Sequence, residues 1–495
     1  MTHTPSLSSL ASHPYPQSTY PAKHTGKLLL KGGRVLNPRT GMDALMDVLV
    51  VEGRVQQIAP HISETVLDIA TDTIVYLKPH HWVTPGLIDI HVHFREPGQT
   101  HKEDVASGSL AAAAGGFTSV VMMANTQPTL DTVKTIQALQ ARTSQVSHIR
   151  SFMAGAITEG LAGQKNTDFQ ALHQAGVVAF SDDGKGVPQA DLMLAMLRYS
   201  KTHNVPVIAH AEDSCLSCGG CMNESPSASR LGLKGIPTLS ESLMVARDIE
   251  LARVTGGWLH VTHISSAETV AMIRKAKAEG IRVSADVTPH HLVWVDQSIE
   301  AHPYDTDFKM NPPLRSEADR QALIEGVLDG TIDCIATDHA PHGKDEKALP
   351  FAEAPFGVVG LETAVGVMLT HFFHNQRLKA LDIIRLMSSF PASLLPTLPL
   401  GQLQEGMPSD ITILDSEASW TVDPATFYSK GKNTPFKGIT LKGKPFMTLI
   451  EGVCRFGEAH LSKLHPEAFL PCEASPHDLQ TSNETDAVPT SLLHS

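Results

Sequence analysis

The sequence predicts an α/β protein: a (β/α)8, TIM-like barrel with a small β-sandwich domain formed by both chain ends. Eight short strand-like runs alternate with helical stretches in the middle of the chain. Short β-type runs without intervening helices flank that region on both sides. Because alternation of strands and helices is typical of parallel βα units, eight such units predict one closed barrel.

The 495 residues divide into five predicted segments. Residues 1–25 are rich in Ser, Pro, Thr and His without apolar periodicity, so we expect a disordered extension. Residues 26–83 contain the runs LLLKGGRVL, MDVLVVEGRVQQI and DTIVYL, and residues 401–458 contain a matching set. These two segments are the expected halves of the sandwich. Residues 84–400 form the predicted barrel, and residues 459–495 form a predicted disordered tail.

The barrel strands are predicted from apolar runs that end at polar residues, Gly or Pro. In chain order these runs are GLIDIH, FTSVVMM, HIRSFMAGA, GVVAFS, VPVIAH, WLHVTHI, IRVSADV and DCIATD. Predicted helices between them include SGSLAAAAGG, ADLMLAMLRYSKTH, TLSESLMVARDIELARVTG and ADRQALIEGVLDG. Since active residues of such barrels lie at the C-terminal strand ends, polar residues that follow these runs are candidate site residues.

Composition excludes several classes of function. The formal net charge is −13, so nucleic acid is not an expected partner. The first twenty residues contain no Lys or Arg, and the longest apolar stretch, 110–124, is interrupted by Gly115 and Gly116, so neither a signal peptide nor a membrane span is expected. Six cysteines are too few for a disulfide framework. We expect a soluble, cytoplasmic protein.

His and Asp residues follow five of the predicted strands. His91 and His93, two positions apart in an extended segment, face the same side and can bind one cation together. Arg95 follows on that face, and its planar guanidinium suits a substrate carboxylate. These ligand types at one barrel mouth predict a site for one or two zinc ions with a position for water. The other candidates are Asp182, Asp183, His210, His263 and Asp338.

Longer motifs extend from about Lys27 to Phe456. They are HVHFREPGQTHKED, GGFTSVVMMANTQP, FSDDG, HAED, HVTHIS, KMNPPLR, TDHAPHGKDEK and APFGVVG. Together they resemble the bacterial class I dihydroorotases of the amidohydrolase superfamily. The chain departs from the family's MPNT motif, in whose place it has Met123, Ala124, Asn125 and Thr126.

The resemblance implies a role for each candidate residue. His91 and His93 would bind the first zinc, Asp183 would bridge or complete the site, and His210 and His263 would bind the second zinc. Asp338 would be both a metal ligand and the catalytic acid/base. The implied substrate-binding residues are His93, Arg95, Asn125, Asn311 and His342, with Phe356 and Gly357 packing on the substrate ring.

The resemblance also implies a reaction: reversible cyclisation of N-carbamoyl-L-aspartate to (S)-dihydroorotate and water in de novo pyrimidine (UMP) biosynthesis. Zinc would lower the pKa of bound water from ~15.7 towards ~7 and polarise the ring amide carbonyl. Asp338 would accept the proton and deliver it to the leaving ring nitrogen, and the same groups would act in reverse during cyclisation.

Two other functions are weighed against this one. Hydantoinases and allantoinases commonly carry a carboxylated lysine at the bridging position, where GVVAFSDDG has no lysine before the metal Asp, and their neutral rings give Arg95 nothing to bind. An inactive dihydroorotase-like partner of aspartate carbamoyltransferase would have lost metal ligands, whereas all six are present here.

Other polar residues have structural interpretations. His260, deeper on strand six, is expected in the core, Asp182 in a turn, and His339 beside a site residue that it orients. Three cysteines in C-x2-C-x2-C spacing lack a fourth thiol, so a metal cluster is not expected there: Cys215, Cys218 and Cys221. The sequence leaves open the zinc count, homodimer formation, a complex with aspartate carbamoyltransferase, and whether loop 343–353 is a mobile lid.

Overall fold

The computed structural model describes residues 26–68 and 71–457, so the predicted disordered segments 1–25 and 459–495 lie outside the described residues. The described chain contains eighteen strands. In order they are β1 (Lys27–Asn37), β2 (Met42–Val51), β3 (Arg54–Ala59), β4 (Thr73–Tyr76), β5 (His81–Pro85), β6 (Leu87–Val92), β7 (Phe117–Met122), β8 (Arg150–Gly155), β9 (Ala179–Phe180), β10 (Val207–Ala209), β11 (Met222–Asn223), β12 (Gly235–Ile236), β13 (Leu259–Val261), β14 (Val283–Val287), β15 (Cys334–Ile335), β16 (Ile411–Thr421), β17 (Thr440–Ile450) and β18 (Val453–Gly457).

The α-helices lie mainly between the barrel strands. They are α1 (Val105–Ala114), α2 (Val133–Val146), α3 (Phe169–Gln174), α4 (Ala190–His203), α5 (Ser214–Ser217), α6 (Pro226–Leu231), α7 (Leu239–Thr255), α8 (Ala267–Ala278), α9 (Pro289–Val293), α10 (Asp296–Ala301), α11 (Glu317–Asp329), α12 (Lys344–Lys347), α13 (Ala364–Met368), α14 (Ala380–Ile384) and α15 (Phe390–Ser393). Helix starts follow the capping rules: the Asp104 carboxylate accepts from the backbone N–H of Ser107 at the start of α1, at 2.8 Å. None of the described helices is long and apolar enough to span a membrane.

Strands from both ends of the chain come together, as predicted, and they form one mixed sheet. Its strand order is β18-β17-β16-β5-β1-β2-β3, with β4 paired to β1. The central junction is the antiparallel pair of β5 and β16, in which Pro85 lies opposite Ile411. One apolar cluster includes residues from both ends, such as Val35, Val48 and Ile413, so burial of apolar area stabilises this junction.

The eight predicted barrel strands form a second, parallel sheet, which confirms the predicted barrel. Its order is β6-β7-β8-β9-β10-β13-β14-β15. A parallel bridge between Val92 and His339 joins the two edges, and the backbone N–H of His93 donates to the carbonyl of His339 at 2.9 Å. All six residues of β6 are buried, as expected for a strand covered on both faces. The C-terminal strand ends therefore meet at one mouth.

Candidate active site

The six predicted metal ligands lie together at this mouth. His91 lies in β6, and the other five lie in the turns that directly follow barrel strands. All six side chains are buried. They are His91, His93, Asp183, His210, His263 and Asp338.

The Asp183 carboxylate is at the centre of the cluster. Its Oδ1 lies 3.2 Å from Nε2 of His91 and 3.4 Å from Nδ1 of His210. Nε2 of His263 also lies 3.4 Å from Oδ1, whereas Oδ2 lies 3.4 Å from Nε2 of His93. Oδ1 therefore faces three of the four imidazoles and Oδ2 faces the fourth, so this one carboxylate contacts both pairs of histidines.

These donors fit a metal centre. Two groups of three ligands, each with donor atoms within 4.8 Å of one another, share Asp183: one with His91 and His93, the other with His210 and His263. Nε2 of His91 is buried and has no hydrogen-bond partner among the described residues. A buried polar atom without a partner is costly, and a cation between these ligands would satisfy it.

The outer nitrogens of three of these imidazoles are hydrogen-bonded, which orients the inner nitrogens. Nδ1 of His91 bonds to the Thr262 hydroxyl at 2.7 Å, and Nδ1 of His93 donates to Oδ1 of Asn125 at 2.9 Å. Nε2 of His210 donates to the Glu212 carboxylate at 2.9 Å. Such contacts fix the tautomer of a metal-binding histidine.

Protons and a cation compete for these nitrogens. Burial opposes the charged imidazole, but the Asp183 carboxylate outweighs it and raises the pKa of His91 to about 9. The same balance of burial against hydrogen bonds from Asp183 and Glu212 raises the pKa of His210 to about 10. Positive charge is therefore favoured at His91 and His210, whether from protons or from a metal ion.

Backbone strain is concentrated at the site. His263, Asp338 and Arg95 have positive φ values of 38°, 48° and 58°. Residues with a Cβ rarely adopt this region, and each such conformation costs on the order of 1–3 kcal/mol. The surrounding hydrogen bonds, such as the donation from the backbone N–H of His263 to Asp286 at 2.7 Å, maintain these orientations.

Two predicted substrate-binding residues adjoin the cluster. The Arg95 Nε donates to the carbonyl of Pro341 at 3.2 Å, and its Nη2 lies 3.3 Å from Nε2 of His342. Nε2 of His342 also lies 2.7 Å from the carbonyl oxygen of Phe356. Because a carbonyl oxygen can only accept, Nε2 of His342 carries the proton. Burial and the charges of Arg95 and Lys102 lower the pKa of His342 to about 2, so the imidazole is neutral.

The segment that carries Phe356 and Gly357 is bound by two buried lysines. The Lys309 ammonium donates to the carbonyls of Phe351 and Ala352 at 2.6 and 3.1 Å. Lys347 donates to the carbonyls of Pro355 and Gly357 at 3.2 and 3.0 Å. Gly357 has φ +131°, and a Cβ there would lie 2.8 Å from Ala340. Glycine is therefore required for this close approach.

Several other predictions concerned residues beside the site. His260 is buried between Ser284 and Asp286, as predicted for a core residue. The Asp182 carboxylate accepts from the backbone N–H groups of Ile157 and Thr158, which agrees with a structural role. Nδ1 of His339 accepts from the backbone N–H of Gly360. Among the described residues, none of the convergent ligand groups includes a cysteine.

A third group of possible metal ligands lies at the mixed sheet formed by the two chain ends rather than in the barrel. Its members are His80, His81 and Asp415. The backbone N–H of Lys78 donates to Nδ1 of His81 at 3.4 Å, so Nε2 is the protonated nitrogen. It lies 3.7 Å from Asp415. We interpret this group as a partly solvated polar cluster.

The family model described as dihydro-orotase-like matches residues 81–269. The chain is 44% identical over 430 residues to a dihydroorotase of Listeria welshimeri, a match that covers 87% of this chain and 99% of that one. The chain belongs to the dihydroorotase family. A dihydroorotase of Anaeromyxobacter dehalogenans is also 44% identical, over 86% of this chain and 96% of that one. The chain is accordingly a hydrolase.

Solved structures support the fold of this dihydroorotase family member. The L-hydantoinase (dihydropyrimidinase) of Arthrobacter aurescens superposes with a TM-score of 0.77 at 24% identity, covering 87% of this chain and 96% of that one. A dihydropyrimidinase of Brevibacillus agri superposes with a TM-score of 0.74 at 19% identity, covering 86% and 94%. At these identities the likeness shows a shared barrel architecture.

Sequence reasoning missed two residues of the site. Thr262 directly precedes His263, a predicted metal ligand, and Glu212 follows His210 by two positions in the motif HAED. The spacing of Glu212 was informative, because alternate residues of an extended segment face the same side. Thr262 had no such pattern, since it lies 171 positions from His91 in sequence and its hydroxyl reaches His91 only in the folded chain.

Proposed function

We propose that this chain is a zinc-dependent dihydroorotase that interconverts N-carbamoyl-L-aspartate with (S)-dihydroorotate and water in UMP biosynthesis. The observation that carries the proposal is the convergence of four imidazoles and two carboxylates beside Arg95. Imidazole and carboxylate donors suit Zn²⁺, with three protein ligands per ion leaving a position for water. One or two zinc ions per chain fit the two ligand groups that share Asp183.

Zinc, when bound, would supply a Lewis acid that acidifies water and polarises the ring amide carbonyl. Asp338 is the proposed acid/base. Its Oδ1 lies 3.0 Å from Nε2 of His93. In hydrolysis the carboxylate accepts a proton from the attacking water and delivers it to the leaving ring nitrogen, and in cyclisation it moves the proton the opposite way.

Substrate binding is assigned to the residues around this acid/base. Arg95 pairs with the substrate carboxylate, since a guanidinium donates two parallel charge-assisted hydrogen bonds. Asn125 and Asn311 offer amide groups to the ring, and the neutral His342 offers a hydrogen-bonding imidazole. Phe356 and Gly357 pack against the ring plane. His93 adjoins both the substrate position and Asp338.

Three observations favour this activity over its alternatives. Asp183, not a lysine, occupies the position between the two ligand groups, so a bridging carboxylate is already encoded. A hydantoinase or allantoinase acting on a neutral ring would leave Arg95 without a partner. All six ligands converge with buried side chains, which argues against an inactive partner of aspartate carbamoyltransferase. We further propose that the enzyme is cytoplasmic and that its substrates are small molecules.

The test combines metal analysis with a dihydroorotate hydrolysis assay on the purified chain. One or two zinc ions per chain are expected, with activity that is lost to a chelator and restored by zinc. Activity should not change when bicarbonate is added to a degassed sample. Hydantoin and allantoin, which lack the carboxylate, are the control substrates. Faster turnover of either ring than of dihydroorotate, or no turnover by the zinc-loaded chain, contradicts the proposal.

A further inference from the structure

Glu212 bonds to two site residues through one oxygen atom. Its side chain is 18% exposed. Oε2 accepts from Nε2 of His210 at 2.9 Å and from Nδ2 of Asn311 at 2.7 Å. Asn311 is 99 positions away in sequence, in the segment between α10 and α11. One carboxylate therefore contacts both a proposed metal ligand and a proposed substrate-binding residue.

The first contact determines which nitrogen of His210 faces the cluster. Because an ionised carboxylate can only accept, Nε2 of His210 must carry the proton. In the neutral imidazole the other nitrogen, Nδ1, then has its lone pair available to a cation, and it lies 3.4 Å from Oδ1 of Asp183 and 3.0 Å from Nε2 of His263. Glu212 thus selects the tautomer that can bind a cation.

The second contact determines the orientation of the Asn311 amide. An amide can be rotated by 180° with little steric change, and only its hydrogen bonds distinguish the two orientations. Donation from Nδ2 to Glu212 turns Oδ1 away from that carboxylate. Asn311 then presents an acceptor, which suits an N–H group such as those of a cyclic ureide.

The segment 210–213 that carries Glu212 is itself fixed. The backbone N–H of Asp213 donates to the carbonyl of Ser240 at 2.8 Å. Gly186, with φ +67°, lies so close that a Cβ there would be 3.0 Å from the carbonyl of His210 and 3.2 Å from that of Glu212. Glu212 is therefore presented by a packed backbone.

We propose that Glu212 is a positioning residue that couples the metal ligand His210 to the substrate-binding Asn311. The inference rests on the proposed function, because it assigns Glu212 to the same site. Loss of Glu212 weakens zinc binding by releasing His210 and weakens ring binding by releasing Asn311. Because Glu212 orients Asn311, removal of the Asn311 amide should raise KM much less in a chain that already lacks Glu212 than in the wild-type chain.

The experiment compares Glu212→Ala and Glu212→Gln with the control Glu224→Ala, an exposed glutamate in the same inserted segment after β10. Zinc affinity is measured by competition with a chromophoric chelator, a readout that does not need turnover. Loss of a residue that orients a metal ligand typically lowers affinity about 10–100-fold. We expect that loss for Glu212→Ala, a smaller loss for Glu212→Gln, and none for Glu224→Ala.

Kinetics with dihydroorotate provide the second readout. Asn311→Ala and the double variant with Glu212→Ala complete a double-mutant cycle for KM. We expect the two KM increases to be clearly non-additive. Wild-type zinc affinity in both Glu212 variants, or additive KM effects, overturns the proposal. If Glu212→Ala fails to fold, Glu212→Gln decides alone. Failure of the wild-type chain to hydrolyse dihydroorotate would instead refute the proposed function, and the zinc measurement would still test Glu212.

Discussion

Nε2 of His93 lies 3.0 Å from Oδ1 of Asp338, so the loops after the first and last barrel strands meet through these two side chains. Burial opposes ionisation, but the close contact with His93 and the charge of His91 outweigh it and hold the pKa of Asp338 well below its usual range. The carboxylate is therefore ionised at neutral pH and can accept a proton.

This ionisation predicts opposite pH profiles for the two directions of the reaction. Hydrolysis needs the ionised site, so its rate should fall as pH decreases through the apparent pKa. Cyclisation begins from the protonated acid/base, so its rate should rise as pH decreases over the same range. That pKa belongs to the coupled site rather than to Asp338 alone. Steady-state rates in both directions test this, and profiles that slope the same way would refute it.

Asp338→Asn keeps the shape of the side chain and removes the base. We expect kcat to fall at least ~10²-fold in both directions, the usual contribution of general acid/base catalysis, while circular dichroism stays unchanged. Near-normal turnover in either direction would mean that another group moves the proton.

Arg95→Met should lower kcat/KM for dihydroorotate by ~10²-fold or more while metal content stays unchanged. The expected loss corresponds to about 3 kcal/mol for a charge-assisted pair. Arg95→Lys should recover little, because an ammonium cannot make the bidentate contact. If Arg95→Met lost as much activity on a cyclic amide without a carboxylate as on dihydroorotate, Arg95 would not be the residue that binds the substrate carboxylate.

Lys347→Met should release the segment around Phe356 and Gly357. Lys347 is buried, and its ammonium bonds to carbonyls of that segment, so we expect KM to rise about tenfold, the effect of losing a hydrogen bond of roughly 1.5 kcal/mol. Chymotrypsin cleavage within residues 343–357 should accelerate. Lys344→Met, at an exposed lysine of the same loop, is the control. Unchanged KM and cleavage would show that the loop is stable without this contact.

A shortened chain of residues 26–458 should fold and keep its kcat. The described sheet begins at Lys27 and ends at Gly457, so the shortened chain contains all of its strands. The melting temperature and kcat of the shortened and full chains provide the comparison. Precipitation of the shortened chain, or loss of most of its activity, would contradict the predicted boundaries of the domain formed by the two chain ends.

Local patterns predicted the barrel strands and the convergence of the six His and Asp side chains, because each of these residues follows an apolar run and parallel strand ends share one mouth. Asp182 and Asp183 were separable only through the resemblance, since adjacent residues share the same strand end. Contacts between distant segments were not predictable: the Thr262 hydroxyl on His91 and the Glu212 carboxylate on Asn311 depend on how loops pack in three dimensions. The small β11 and β12 pair was also missed, because two-residue strands have no periodicity.

The pairing of β5 with β16 has a consequence for synthesis of the protein on the ribosome. Thr84 lies in β5, directly before the strand that carries His91. Its hydroxyl donates to the carbonyl of Thr412 in β16, 328 positions later in the chain. During translation β5 therefore emerges long before its neighbour and exposes an unpaired edge while the whole barrel is being made. We expect the nascent chain to need protection by chaperones until about residue 450 has left the exit tunnel, and the mouth to reach its final geometry only at the end of elongation.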